Sequence, residues 1–332
     1  MANVALSDLG GRLAVAAARD GGPRVAVLIP CLNEEKTIGK VVRGFRAAIP
    51  QALVIVFDNG SLDATATEAR AAGAQVVVEK RRGKGHVVRS MFARTDADVF
   101  VMVDGDDTYP ADRVQALLDP VICGEADMAV GTRISHLSNS DFKAVNRMGN
   151  KLYRCAVNWI FGAHITDVLS GYRCMSRRLV RGIPLSATGF EVEAELTIKA
   201  LQRGYRIVEV PVDLRARPRG SHSKIRVLAD GVKILVTVLA LFRDYKPLTF
   251  FGGVGLLLAG GGLVPGLIAV GGYMRTGLVL HLPSALLAVA LELLGALVVV
   301  AGIILHTVNR RFEEAEQLLR LVVEEPFPRG VG

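Results

Sequence analysis

The sequence predicts an α/β protein: a mostly parallel sheet with helices on both faces, followed by an interfacial helix and two transmembrane helices. Three observations carry this. Short apolar runs rich in β-branched residues (Val25 to Ile29, Leu53 to Phe57, Gln75 to Val78, Val99 to Val103) alternate with amphipathic segments, as in a parallel sheet covered on both faces. No charged residue occurs from Pro247 to Met274, and only Glu292 interrupts the apolar run from Leu282 to Thr307. Each run exceeds the roughly 20 residues a helix needs to cross the hydrocarbon core. Between these regions Ile225, Leu228, Val232, Leu235, Val236, Leu239 and Phe242 recur at helical spacing with charge elsewhere, the pattern of a helix lying in a membrane interface. A length of 332 residues with 51% hydrophobic content leaves room for one large core besides the membrane part.

Taken in order, residues 1–23 read as an arm, because the apolar patch from Leu13 to Ala18 is too short and badly flanked for a signal peptide. Residues 24–222 form the α/β domain. Its first strand, Val25 to Ile29, is ended by Pro30, and Ile38, Val41, Val42 and Phe45 mark the helix that follows. The second strand stops at Asp58-Asn59-Gly60-Ser61 and gives way to a helix through Arg70; after the third comes Lys80-Arg81-Arg82-Gly83-Lys84-Gly85-His86, opening another helix. The fourth runs into Asp104-Gly105-Asp106-Asp107-Thr108. Residues 223–246 are the interfacial helix and 247–308 the membrane hairpin, where Pro265 and the glycines are tolerable because neighbouring segments satisfy the freed backbone. A carboxylate is expensive in a membrane, so Glu292 is expected to face the partner helix or another subunit. Residues 309–332 are a tail, with a further amphipathic helix over 309–325.

The net charge of +8 is spread out, and part of it flanks the membrane runs: Arg226, Lys233, Arg243 and Lys246 before the first, Arg310 and Arg311 after the second, with only Arg275 between them. By the positive-inside tendency both ends, and the α/β domain with them, face the cytoplasm. Anionic headgroups account for the basicity, and no nucleic-acid partner is implied. The four cysteines lack paired metal-ligand spacing, which suits a reducing compartment and argues against zinc.

Asp104 and Asp106 lie two apart, so in extended chain their carboxylates share a side, and Gly105 lets a ligand approach the backbone. Such a pair can hold a hard divalent cation that completes its shell with water and phosphate oxygens; an ordinary solvated turn is the other reading. Asp58 can accept hydrogen bonds from a nucleobase or serve a turn. Lys84, between glycines at a helix start, can meet a diphosphate. Neither Gly-x-x-x-x-Gly-Lys nor Gly-x-Gly-x-x-Gly occurs. In a parallel sheet ligands bind at the carboxyl ends of strands, where these clusters all fall.

The ordered set Ile29-Pro30-Cys31-Leu32-Asn33-Glu34-Glu35, Asp58-Asn59-Gly60-Ser61-Leu62-Asp63, Gly83-Lys84-Gly85 and Asp104-Gly105-Asp106 resembles a family 2 glycosyltransferase of the GT-A, Rossmann-like fold. The resemblance continues through Gly131-Thr132-Arg133, Arg147 to Asn150, Asp167 to Arg173, Gly189-Phe190-Glu191-Val192-Glu193, Arg217 to Lys224 and Asp244 to Leu248, and covers roughly residues 24 to 250. The whole series resembles the polyprenyl-phosphate, dolichol-phosphate mannosyltransferase-like branch. One departure is Asn59, where many relatives carry a second Asp.

The resemblance implies that Pro30, Leu32, Glu34 and Asp58 line a nucleobase pocket, with Lys84 on the diphosphate. Asp104 and Asp106 would bind Mg²⁺ or Mn²⁺, with Thr108 a weaker third contact. The reaction would be inverting transfer of one sugar from a UDP- or GDP-sugar to polyprenyl phosphate. A phosphate monoester is mostly dianionic at neutral pH, so the acceptor needs cations rather than a base. Arg133, Arg147, Arg173, Arg217, Arg219 and Lys224, with Ser170 and Ser223, are the candidates for that path. Asp167 is the base that relatives nominate; with a phosphate nucleophile it is read as orienting an arginine or the sugar. Glu191 either binds sugar hydroxyls or is a helix-N-terminal acid. Alternatives are a hydroxyl acceptor such as a glycerolipid, and a non-catalytic scaffold that binds sugar nucleotides. Processive synthases of the family carry Gln-x-x-Arg-Trp, which the lone Trp159 does not match. A homo-oligomer is left open by the hairpin and tail.

Overall fold

A computed structural model describes residues 13–14, 22–132, 154–155, 157–159, 161–189, 191–214, 236, 239–240, 242–278 and 281–324. The chain divides into two compact units, residues 1–235 and 236–332.

The first unit is built on a seven-stranded sheet in the order β4-β3-β2-β6-β8-β7-β9. Its strands are β2 (Val25–Cys31), β3 (Leu53–Asp58), β4 (Gln75–Val78), β6 (Val99–Met102), β7 (Met128–Thr132), β8 (Arg173–Ser176) and β9 (Ile207–Pro211). A separate parallel pair joins β1 (Leu13–Ala14) to β5 (Thr95–Asp96). In the main sheet β8 alone runs antiparallel to its neighbours, β6 and β7. The sheet is therefore mostly parallel, as expected.

Every residue of β6 is buried, and alternate residues of β2 feed two different cores. Val25, Val27, Ile29 and Cys31 pack with Ile38, Val41, Val42 and Phe45 of helix α1 (Ile38–Ala48). Ala69 of α2 (Thr65–Ala71) and Leu117 and Leu118 of α4 (Val114–Ile122) complete that face. Ala26 and Leu28 pack on the other face with Val87, Val88 and Met91 of α3 (Lys84–Arg94), Leu179 of α5 (Arg177–Gly182) and Leu196 of α6 (Val192–Gln202). This two-residue alternation is the strand's own geometry, and each fully buried Leu, Ile or Phe contributes about 1.5–3 kcal/mol.

Pro30 does not end its strand: β2 runs on to Cys31, with Pro30 opposite Phe57 and Cys31 opposite Asp58. Leu28 accepts from Val103 N on the β6 side, where the ladder ends. By alternation the N–H that Pro30 lacks points to that side, so no ladder bond is lost.

The second unit contains α7 (Pro247–Thr276) and α8 (Leu282–Glu324). Both are long and apolar enough to cross a membrane: an 18-residue stretch within Pro247–Thr276 has mean hydropathy 2.0 and one within Leu282–Phe312 has 2.7. Their large apolar side chains are exposed, as with Leu256 at 75% and Leu297 at 67%, which suits a lipid surround better than a soluble core. A Cβ on Gly255 would stand 2.9 Å from Gly295 O, so the glycines let the two backbones approach. Glu292 turns toward the partner helix, with Oε1 3.3 Å from where a Cβ on Gly262 would lie.

The expected separate tail helix is instead a continuation of α8 to Glu324. No Gly or Pro occurs between Gly302 and Pro326, and the Arg310–Glu314 pair supports the helix just past the expected boundary. Apart from a few residues before Lys246, the interfacial helix lies outside the described residues.

Candidate active site

Two loops at the carboxyl ends of β2 and β3 are stitched together by side chains. Asn33 N donates to Ser61 Oγ (2.9 Å), Leu62 N to Asn33 Oδ1 (2.8 Å), and Glu34 N to Thr65 Oγ1 (2.7 Å). Asn33 takes a left-handed φ of 52°, tolerable for Asn. Pro30, Leu32 and Glu34 are half-buried along this seam. Asp58 is buried and accepts from Ser61 N at 3.1 Å and from the Ser61 hydroxyl. The two loops thus bring together all four residues expected at a nucleobase.

Asn59 explains its own departure from the family pattern. Its amide nitrogen donates to Glu79 O (3.0 Å) and Arg81 O (2.7 Å), and its oxygen accepts from Gly83 N (2.8 Å). A carboxylate is acceptor-only and would face two carbonyls. Asn59→Asp is expected to lower stability by about 1–3 kcal/mol, read as a lower denaturant midpoint with unchanged slope.

Lys84, the first residue of α3, does not offer its helix end to a ligand. A Cβ on Gly83 would stand 2.2 Å from Thr188 O and one on Gly85 2.1 Å from Ala187 O, while Gly85 N donates to Thr188 O at 3.1 Å. The glycines admit the 187–188 backbone, and that carbonyl occupies the helix N-terminus. The Lys84 side chain instead reaches Asp104 Oδ1 and Glu193 Oε1, each at 2.5 Å. Burial alone would lower the ammonium's pKa, but the two carboxylates outweigh it and hold it above the ordinary lysine value. Of the two acids in Glu191-Val192-Glu193 it is Glu193, not Glu191, that reaches this cluster. Glu191 folds back onto Thr188 N (3.1 Å) and Gly189 N (2.9 Å). Both acids were visible in the sequence, and only helix phase distinguishes them.

Glu195 fastens the same loop, accepting from Ser186 N (3.0 Å) and Ala187 N (2.8 Å) and pairing with Lys199 (2.7 Å). Burial pushes its pKa up, but hydrogen bonds from Lys199, Ser186 and Ala187 prevail and hold it below the usual glutamate range. A depressed native pKa contributes stability that is complete above the unfolded value, about 4.3, and lost as pH falls through the native one. Melting temperature is expected to drop below that pH, and less steeply in Glu195→Gln.

Asp104 and Asp106 follow β6 as expected. Asp106 is buried and accepts from Thr108 N (3.1 Å) and Thr108 Oγ1 (2.6 Å). Thr108 therefore supports Asp106. Gly105 has a tighter reason than ligand access: a Cβ there would stand 2.6 Å from Cys31 Sγ. Asp107 adopts a left-handed φ of 59° and pairs with Lys40. The donors offered by Asp104 and Asp106 are hard carboxylate oxygens, and among the described residues no group of three His, Cys, Asp or Glu forms a closed cage. That set fits a Mg²⁺-like ion, which keeps positions for water and phosphate oxygens.

The segment from Thr166 to Arg173 packs directly on this acidic turn. A Cβ on Gly171 would stand 2.3 Å from Asp104 Oδ2, and Gly171 N donates to Tyr109 OH at 3.0 Å. Glu209 of β9, unmarked in the sequence, accepts from Thr166 N (2.8 Å) and Asp167 N (2.9 Å), which holds the buried Asp167 in place. Ser170 and Arg173 are corrected. Neither has exposed surface. Ser170 Oγ donates to Gly131 O (2.5 Å). The Arg173 guanidinium donates to Ser170 O (2.8 Å), Val168 O (2.7 Å) and Thr197 Oγ1 (2.7 Å). Both hold the segment together instead of meeting a phosphate. Arg133, Arg147, Arg217, Arg219, Ser223 and Lys224 lie outside the described residues.

A mostly parallel sheet with a hydrogen-bonded seam between two loops and an acidic turn at its carboxyl edge defines the class, and the chain belongs to the family 2 glycosyltransferases. The family model "Glycosyl transferase family 2" matches residues 26–182. Glycosyltransferase AglJ of Haloferax volcanii is 34% identical over 240 residues, 72% of this chain and 78% of that protein. The dolichyl-phosphate hexose transferase of the same organism is 32% identical over 211 residues, 63% and 90% of the two chains. Among solved structures, glucosyl-3-phosphoglycerate synthase from Mycobacterium tuberculosis, in complex with Mn²⁺, UDP and glucosyl-3-phosphoglycerate, superposes with a TM-score of 0.57 at 27% identity, covering 67% of this chain and 81% of that one.

Proposed function

We propose that this enzyme transfers one sugar, with inversion, from a UDP- or GDP-sugar to membrane polyprenyl phosphate. The observation that carries the reading is the meeting of Asp58, Lys84, Asp104 and Asp106 at one sheet edge in a chain that also has two membrane-length helices. The relative that acts on dolichyl phosphate and the neighbour that holds Mn²⁺ with UDP support it.

In this reading the seam of Pro30, Leu32, Glu34 and Asp58 holds the base. Asp104 and Asp106 hold Mg²⁺ or Mn²⁺, which when bound supplies Lewis-acid stabilisation of the leaving diphosphate. Lys84 adds a cation next to that leaving group. The acceptor phosphate, with a second pKa of about 6, attacks without losing a proton. Its approach needs cations, a task assigned to Arg133, Arg147, Arg217, Arg219 and Lys224, with Ser223 beside them. Asp167, held through its backbone by Glu209, orients an arginine or the sugar, and Glu191 contacts sugar hydroxyls only if it leaves the 188–189 backbone. The hairpin anchors the domain at the cytoplasmic face, consistent with the basic residues flanking both helices.

Purified protein offered a panel of UDP- and GDP-sugars with polyprenyl phosphate is expected to form a chloroform-soluble glycolipid from one donor. Product formed only with diacylglycerol would overturn the acceptor assignment.

A further inference from the structure

We infer that Lys84 is an exchangeable internal cation: in the donor-free enzyme it holds Asp104 where a metal would, anchored from behind by Glu193, so that metal and nucleoside diphosphate bind as a unit. This rests on the proposed role of Asp104 as a metal ligand. The ammonium lies 2.5 Å from Asp104 Oδ1 and 2.5 Å from Glu193 Oε1. The three side chains differ in access: Asp104 is 27% exposed, Lys84 12% and Glu193 5%. The solvent-facing partner is therefore the one a metal approaches, and the buried partner is the one that retains the lysine.

Each step has an electrostatic reason. A divalent ion arriving alone at Asp104 meets an ammonium already in contact with the same carboxylate, and like charges at that distance oppose one another. Lys84 cannot simply withdraw, because Glu193 would be left as a buried, unpaired charge. A diphosphate changes this balance by giving the ammonium a new anionic partner on the open side while Glu193 keeps its hold. The lysine then moves from carboxylate to phosphate, and the metal takes the vacated oxygen. Glu193 is thus a positioning residue that acts through Lys84. Gly83 and Gly85, which seat the start of α3 against the 187–188 backbone, fix the stem from which the side chain swings.

The consequence is positive coupling between metal and nucleotide that depends on Lys84. Mn²⁺ binding to the full-length protein in nanodiscs, read from the free-ion EPR signal with and without UDP and in parallel GDP, tests it without recourse to turnover. In the wild type, nucleotide is expected to tighten Mn²⁺ binding about tenfold or more beyond chelation in solution, within the usual range of coupling between sites. Lys84→Met is expected to tighten Mn²⁺ binding in the absence of nucleotide and to reduce the coupling toward the solution value. Glu193→Gln leaves the ammonium with Asp104 alone, so Mn²⁺ without nucleotide is expected to bind more weakly and the coupling to rise; this variant decides the matter if Lys84→Met does not fold. A fixed cation would shift Mn²⁺ affinity equally with and without nucleotide in either variant, and that result would overturn the inference. Loss of the parent reading looks different: Asp104→Asn would then bind Mn²⁺ and nucleotide as the wild type does.

Discussion

Asp104→Asn is expected to reduce sugar transfer by at least about a thousandfold, equivalent to some 4 kcal/mol of transition-state stabilisation, with the fold retained. Asparagine keeps the side-chain volume beside Gly171, where the close approach to Asp104 leaves no room for a larger group. It removes the charge that pairs with Lys84 and that would ligate the metal. The informative comparison is Asp167→Asn. A general base typically contributes 10²–10⁴-fold, but a phosphate dianion needs none, so this variant is expected to lose only about tenfold. Single-turnover transfer assays on both variants, with circular dichroism as the folding control, separate the two roles. Equal and complete loss in both would return Asp167 to the position of base.

Arg173→Met is expected to act on stability. The side chain is fully buried, and its removal strands Ser170 O and leaves Val168 O with only the 3.4 Å bond from the Thr197 hydroxyl. Each unsatisfied buried group costs about 1–3 kcal/mol, and losing a buried charged partner is among the most damaging of single changes. A loss of about 3 kcal/mol or more is expected from chemical denaturation, with activity falling in proportion to the folded fraction. A variant of wild-type stability that had lost acceptor affinity alone would restore Arg173 to the phosphate path.

What the sequence disclosed follows from the range of the forces involved. Strand burial and the ends of β3 and β6 are local properties, written in runs such as Val99 to Met102 and in the acids that stop them. The two helices of membrane-spanning length are equally local, written in two long apolar runs. Long-range contacts were not legible. Arg173 reads as a basic residue in a polar loop, and only the antiparallel pairing of β8 between β6 and β7 places it in the core. Glu193 could not be preferred to Glu191 until the phase of α6 was known. Glu209 sits in an unremarkable strand, and its bonds to Thr166 and Asp167 join segments over 40 residues apart. The glycines around Lys84 read as a helix start open to a diphosphate because small residues serve close approach of any group, here the backbone of residues 187 and 188.

The central claim is that a lipid-linked phosphate is the acceptor for a sugar whose diphosphate leaves at Asp104 and Asp106. Its most direct measurement is nucleoside diphosphate release by the reconstituted protein, with the competent donor and Mg²⁺ or Mn²⁺, in vesicles with and without polyprenyl phosphate. Release that requires both the metal and the lipid phosphate, and disappears in Asp104→Asn, is the predicted result. Release at the same rate from vesicles lacking polyprenyl phosphate would contradict it.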